Sequence, residues 1–283
     1  MTIFIAPDDV YYGLRQVIGG VFAKWPLETS YVDMTDVAAL RAAVRPNTRL
    51  VLIETPSNLL MKIADLAEAR IAREANAISV CDGTFTTPVL QRPFDSGIDM
   101  VWHSTTKYIS GHSDVTGGAL ITRFDNYLFE RARKSLMFGG AAPSPFDCWL
   151  TLRGVSTLPW RMRAHCENAH AVAEFLQRHP AVERVHYPGL PDHQGHEIAR
   201  RQMSGWGGML SFQIRGGREA AMAAAGGLRL FTRATRLGGP HSLIEHRASI
   251  EGPGTKTPQN LLHTSIGLEN SDDLIADLQQ ALR

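Results

Sequence analysis

This sequence predicts an α/β fold in three layers, a mostly parallel sheet with helices on both faces, followed by a smaller α+β unit. Three features carry the prediction. Short apolar runs bounded by turn residues recur through the first half. Two of these runs flank a helical pattern, which gives the strand–helix–strand order of a parallel sheet. Near Pro143 the texture then changes from short runs to one long helical pattern.

The candidate strands are Thr2 to Ala6, Leu50 to Glu54, Ala77 to Cys81, Asp99 to Trp102 and Gly118 to Thr122. Between the second and third, Ile63, Leu66, Ala67 and Ile71 fall at helical spacing, so a covering helix is expected over Ala64 to Asn76. The loop Gly139-Gly140-Ala141-Ala142-Pro143-Ser144-Pro145 leads into the second unit, and the units divide at 1–145 and 146–283. There His165, Ala169, Val172, Ala173 and Leu176 repeat as a helix face, Met209 to Ile214 and Leu261 to Ile266 read as strands, and Asn270 caps a closing helix from Asp272. With no repeat, low-complexity tract or polar linker, the two units are expected to pack tightly.

A chain of 283 residues with 44% hydrophobic and 20% charged residues is that of a soluble globular protein able to bury a large core. A net charge of +1 gives no global attraction to nucleic acid or to anionic membrane. The apolar runs are too short for a membrane span or signal segment. Three cysteines, Cys81, Cys148 and Cys166, form no close pairing, which points to a reducing cytoplasm rather than a disulfide framework.

The most informative stretch is His103-Ser104-Thr105-Thr106-Lys107-Tyr108, directly after the strand candidate ending at Trp102. Ser104 and Thr106 can donate to a phosphate at the sheet edge where open α/β sheets place ligands. A partly buried lysine with a lowered pKa is what capture of an aldehyde requires. Upstream, Asp82 ends a strand in Cys81-Asp82-Gly83-Thr84-Phe85, where its carboxylate can face the same pocket. Beside a pyridine nitrogen it would keep the ring protonated, at about 1.4 kcal/mol per pKa unit. Taken singly, the hydroxyl-rich tetrad reads as a solvated loop and Asp-Gly as a turn former; the conjunction carries the argument.

Several motifs in order complete a resemblance. Glu54-Thr55-Pro56-Ser57-Asn58, Asp82-Gly83-Thr84-Phe85-Thr86-Thr87-Pro88, the lysine stretch and Ser242-Leu243-Ile244-Glu245-His246 resemble the cystathionine γ-synthase and methionine γ-lyase family of pyridoxal-phosphate enzymes. So do Leu152-Arg153-Gly154, Tyr187-Pro188-Gly189-Leu190 and Ser265-Ile266-Gly267-Leu268-Glu269, so that the likeness covers essentially the whole chain. The resemblance implies the fold-type-I pyridoxal-phosphate transferase fold. Lys107 then matches the Schiff-base lysine, Asp82 the pyridinium partner, Ser104 and Thr106 phosphate ligands, Asn58 a neighbour of the phenolic oxygen and Thr84 a further cofactor contact. Tyr11 matches the tyrosine that stacks on the ring and exchanges protons, with Tyr12 as the alternative stacker. The implied activity is γ- or β-elimination or replacement on sulfur-containing or O-acylated homoserine-type amino acids. The implied assembly is a homotetramer, a dimer of dimers with active sites between subunits.

Three departures qualify this expectation. Family members carry a substantial segment before the Ile3-Phe4-Ile5 strand, which serves the phosphates of both subunits; the sequence in hand begins at that strand, so a fragment, a truncated form or weak cofactor binding is expected. His263 stands where the family has the arginine that clamps the substrate carboxylate, and histidine lacks both the charge and the fork. Arg236 stands where a serine is usual, so Arg236 is a candidate to take over the carboxylate, with a surface arginine as the plain alternative. Thr235, where several relatives have glutamate, tilts the reading away from cystathionine. The departures also admit a catalytically impaired relative with a structural or partner-binding role. His186, His193 and His196 superficially resemble a metal loop, but their segment is itself typical of the family. Arg161-Met162-Arg163 and Arg200-Arg201 read as solvated helix faces.

Overall fold

A computed structural model describes residues 2–125, 127–253 and 255–283. The first sheet is built from β1 (Thr2–Pro7), β2 (Leu27–Val32), β3 (Thr48–Glu54), β4 (Ile78–Asp82), β5 (Met100–Ser104) and β6 (Gly118–Thr122). Its order is β2-β1-β3-β4-β5-β6, parallel throughout except for the antiparallel β5–β6 pair. Val51, Leu52 and Ile53 of β3 are almost fully buried, as continuous apolar runs are when helices cover both faces of a parallel sheet. Helices α1 (Tyr12–Gln16), α2 (Val37–Ala43), α3 (Ala69–Glu74), α4 (Thr87–Leu90) and α5 (Tyr127–Phe138) accompany this sheet.

Two elements differ from expectation. β2 was not anticipated, because Leu-Glu-Thr-Ser-Tyr-Val shows little apolar alternation; as an edge strand it is only half buried and tolerates polar residues. The helix expected over Ala64 to Asn76 is shorter. Asp65 accepts the Ala67 N–H at 3.0 Å and caps a tight 3₁₀ turn over Leu66–Glu68, and α3 ends before Asn76, which adopts a left-handed φ of 52°.

The second half carries α6 (Pro145–Val155), α7 (Leu158–Arg178), α8 (His196–Gln202), α9 (Gly217–Gly227), α10 (Arg247–Glu251) and α11 (Ser271–Ala281). Its sheet holds β7 (Val182–His186), β8 (Met209–Ile214), β9 (Thr232–Arg233), β10 (Leu243–Glu245) and β11 (Leu261–Ser265) in the order β7-β8-β11-β10-β9. Every anticipated face residue of α7, from His165 to Leu176, is buried. Asn270 caps α11 by accepting the Asp272 N–H at 2.8 Å. Asn270→Ala should therefore lower stability by about 1 kcal/mol, read as a shift in the urea midpoint with unchanged slope; an unchanged midpoint would show the cap to be idle.

The two halves meet closely. Leu158 and Met162 of α7 share one apolar cluster with Met61, Tyr108 and Leu237. Gly238, at φ 79°, packs so tightly that a β-carbon there would lie 2.6 Å from the Tyr108 nitrogen, which leaves glycine as the residue that fits.

Candidate active site

The register of the first sheet brings three strand ends together. Glu54 of β3 pairs with Asp82 of β4, and Asp82 pairs with Trp102 of β5. Ligands gather at such carboxyl ends in open α/β sheets. After Ser104 the chain turns through Thr105–Ile109, and Lys107 breaks the helical pattern there at φ −94° and ψ −132°. Arg161 fixes this turn. Its guanidinium, 6% exposed, donates to the Tyr108 and Gly154 carbonyls at 2.7 Å each and to the Ile109 carbonyl at 3.3 Å. The reading of Arg161-Met162 as a solvated face is thus corrected: the helix turns both inward, because three carbonyls satisfy a buried guanidinium, while Arg163 remains outside on Glu167.

A cavity of about 310 Å³ opens over these ends. Lys107, Asp82, Ser104 and Thr84 line it from the first sheet, and Tyr11 and Asn58 from the loops beside it. Arg236 and His263 enter from the second half. Among the residues singled out from sequence, Thr106 is not on this wall: its hydroxyl donates to the Gly117 carbonyl at 3.2 Å and accepts the Gly117 N–H at 2.9 Å. A larger cavity of about 830 Å³ adjoins, sharing Tyr11, Asp82 and Ser104 and walled by Leu120, Phe129 and Leu136.

Hydrogen bonds hold the wall in place. Asp82 Oδ1 accepts the Thr84 N–H at 2.9 Å, and Thr84 Oγ1 accepts the Ser104 N–H at 3.0 Å. Glu54 joins two flanking loops, accepting the Tyr11 N–H at 3.0 Å and the Asn58 N–H at 2.8 Å. Burial, with Asp82 nearby, pushes its carboxyl well above the usual range. Tyr11 is half exposed, its ring lying over Gly13. Burial also lowers the Lys107 pKa, Arg236 and Arg247 add to the effect, and Glu245 opposes it. Among the described residues the Lys107 amine finds no acceptor.

The second half contributes a charged group that the sequence reading did not single out. Glu245, paired in register with His263, binds Arg247 Nη1 at 3.2 Å, and Arg247 Nε reaches Glu251 at 3.1 Å. Glu245 and Arg247 line the cavity with Glu54. Glu54 and Glu245 lie within motifs already quoted and Arg247 directly follows one, but nothing in the order of residues says which way they point. His263 Nδ1 is 2.7 Å from Ser211 Oγ. Burial, then Arg247, pushes its pKa down to about 3, so it is neutral near pH 7. Arg236 is exposed and donates to the Ser113 carbonyl at 2.9 Å. The three loop histidines serve separate acceptors: His186 faces Gln213, His193 the Met61 carbonyl and His196 the Pro188 carbonyl.

A family model described as Cys/Met metabolism PLP-dependent enzyme matches residues 2–283. The chain belongs to that family. It is 48% identical over 284 residues to cystathionine gamma-synthase of Mycobacterium tuberculosis, covering 98% of this chain and 73% of that protein. It is 45% identical to cystathionine gamma-lyase of Dictyostelium discoideum, covering 98% and 74%. A crystal structure of cystathionine gamma synthase from Xanthomonas oryzae pv. oryzae, in complex with aminoacrylate and cysteine, superposes with a TM-score of 0.95 at 42% identity, over 99% of this chain and 75% of that one. The Cys/Met family is pyridoxal-phosphate-dependent and its fold is the α/β fold-type-I architecture. This member is accordingly a pyridoxal-phosphate-dependent transsulfuration-type enzyme acting on a small amino-acid substrate, and the alternative of a purely structural relative is not favoured. Among the described residues, no helix is long and apolar enough to cross a membrane.

The cavity fits the cofactor of this family. Asp82 has a second carboxylate oxygen available for a ring N–H, and the Ser104 hydroxyl makes no hydrogen bond among the described residues. Among the described residues the buried Asn58 Oδ1 has no hydrogen-bond partner, and an unmatched buried polar atom beside a cavity is what a polar ligand would satisfy.

Proposed function

We propose that Lys107 is the amine that holds pyridoxal phosphate and the base that moves the substrate α-proton. The observation that carries this reading is a half-buried lysine of lowered pKa, without an acceptor among the described residues, on one wall with Asp82, Ser104 and Tyr11. Pyridoxal phosphate, when bound, supplies an aldehyde and an electron-withdrawing pyridinium ring.

Asp82 keeps the proton on the ring nitrogen, and its bond from the Thr84 N–H fixes its orientation. Ser104 would donate to the phosphate, and Thr106, expected there too, shapes the same loop through its two hydrogen bonds with Gly117. Asn58 neighbours the phenolic oxygen and Thr84 braces the strand ends. Tyr11, half exposed on the cavity wall, would stack on the ring and exchange protons with the substrate. His263 and Arg236 border the substrate carboxylate. Residues 1–145 form the cofactor-binding unit and 146–283 the α+β unit.

Relatives named for cystathionine support a thioether amino acid as substrate, processed by elimination or replacement at the β or γ carbon. Phe138, Phe146, Trp149 and Trp160 are exposed large apolar residues around α5–α7, a surface that fits burial between subunits. It supports association between subunits; the assembly proposed is a homotetramer with active sites at subunit interfaces, and the proposed location is the cytoplasm. To test the function, pyridoxal phosphate is added to the purified protein and the visible spectrum is followed before and after L-cystathionine. A yellow band that changes with substrate, with release of a thiol or keto acid, is expected; a band that ignores every thioether amino acid would overturn the substrate reading.

A further inference from the structure

An amino-acid substrate brings a carboxylate into the cavity, and that charge needs a matching cation there. Lys107, Arg236 and Arg247 are the cations on the wall. Lys107 is committed to the aldehyde and the α-proton in the reading above. Arg236 is exposed and turned onto the Ser113 carbonyl. His263 is neutral and faces Ser211. Arg247 lines the same cavity; unlike Arg236 it is buried, at 6% exposed, and unlike His263 it carries a guanidinium.

Its guanidinium is held but not saturated. Nε donates to Glu251 at 3.1 Å and Nη1 to Glu245 at 3.2 Å. A guanidinium offers five N–H groups in a fixed fork, so most of the donors stay open. Among the described residues, Nη2 has no acceptor. Glu251 is itself anchored by the Thr255 and Thr257 hydroxyls. The two glutamates therefore orient the fork, and both contacts are longer than the 2.7–2.9 Å usual for close charged pairs.

We infer that Arg247 is the specificity-determining residue that receives the substrate carboxylate, in place of both Arg236 and the residue at 263. This rests on the functional reading above for the nature of the substrate, but the binding site stands on the chain's own side chains. A planar carboxylate matches the remaining edge of the fork, and burial strengthens the pairing.

The test uses ligands that cannot react: 4-(methylthio)butanoate, which has the carboxylate and thioether but no amine, and the corresponding primary amide. Calorimetric titration of the full chain loaded with pyridoxal phosphate should show the acid binding tighter than the amide by about tenfold to a hundredfold. Arg247→Met should bring that ratio close to one, and Arg236→Met, at the border of the same site, should keep most of it. Arg247→Lys keeps the charge and the ion pairs without the fork, so it should retain only part of the preference; it also secures the comparison where Arg247→Met does not fold by circular dichroism. An unchanged ratio in the Arg247 variants, or a ratio lost in Arg236→Met, would overturn the assignment. The titrations are repeated without pyridoxal phosphate, so a yellow band absent from wild type would count against the cofactor reading while the acid-to-amide ratio still decides the assignment.

Discussion

Lys107→Ala is expected to lose both the yellow band that borohydride fixes to the chain and more than about a thousandfold of the elimination or replacement rate, since one side chain serves as carbonyl-capturing amine and proton-transfer base. Mass spectrometry after borohydride should place the added mass on the peptide containing Lys107 in wild type and nowhere in the variant. Label on another lysine, such as Lys62, would refute the role. Lys62 is an instructive contrast, because its amine is bound to Asp8 and Asp33 at 3.1 Å each, whereas the Lys107 amine makes no ion pair among the described residues. Burial and two arginines disfavour its ammonium form, and that keeps a nucleophilic amine available closer to neutral pH.

The second large effect is acid lability. His263 is pushed down to about 3, and His165 and His193 to about 4, burial being the first cause in each. The unfolded chain accepts protons at these positions near 6.5, and the folded chain resists them until far lower. Stability from the three is therefore fully present above about pH 6.5 and is lost as the pH falls towards 4, at about 1.4 kcal/mol per pH unit for each histidine. Glu54 and Asp9, whose carboxyl pKa values burial raises, act with the opposite sign, their penalty growing as pH rises through the carboxylate range. A variant comparison separates the two: His193→Gln should flatten the slope of stability against pH between 6.5 and 5 by about 1.4 kcal/mol per unit. Equal slopes in denaturant titrations of the two proteins would refute it.

Much of this was legible in the residue order. Lys107, Asp82 and Ser104 were found because a strand's end, a turn and a functional residue occupy adjacent positions, so local pattern and placement coincide. The apolar strands β3 and β4 were legible for the same reason, while β2 was hidden by its edge position. Arg161 and Arg247 were illegible in a different way. Each is an arginine near a helix start, which usually means solvent, and only the folded chain shows three carbonyls around one and two glutamates around the other. His263 was noticed as a departure, but its neutrality follows from burial that no motif announces.

The two walls of the cavity come from separate stretches of chain. Lys107, Asp82 and Ser104 belong to the parallel sheet, and Arg236, Glu245, Arg247 and His263 to the second half. On the assignments proposed here, the first wall does the chemistry and the second chooses what receives it. Drift or engineered variation around β10, α10 and β11 can then exchange one amino acid for another while the lysine and its acid stay untouched. A family built this way can diversify its diet without relearning how to digest.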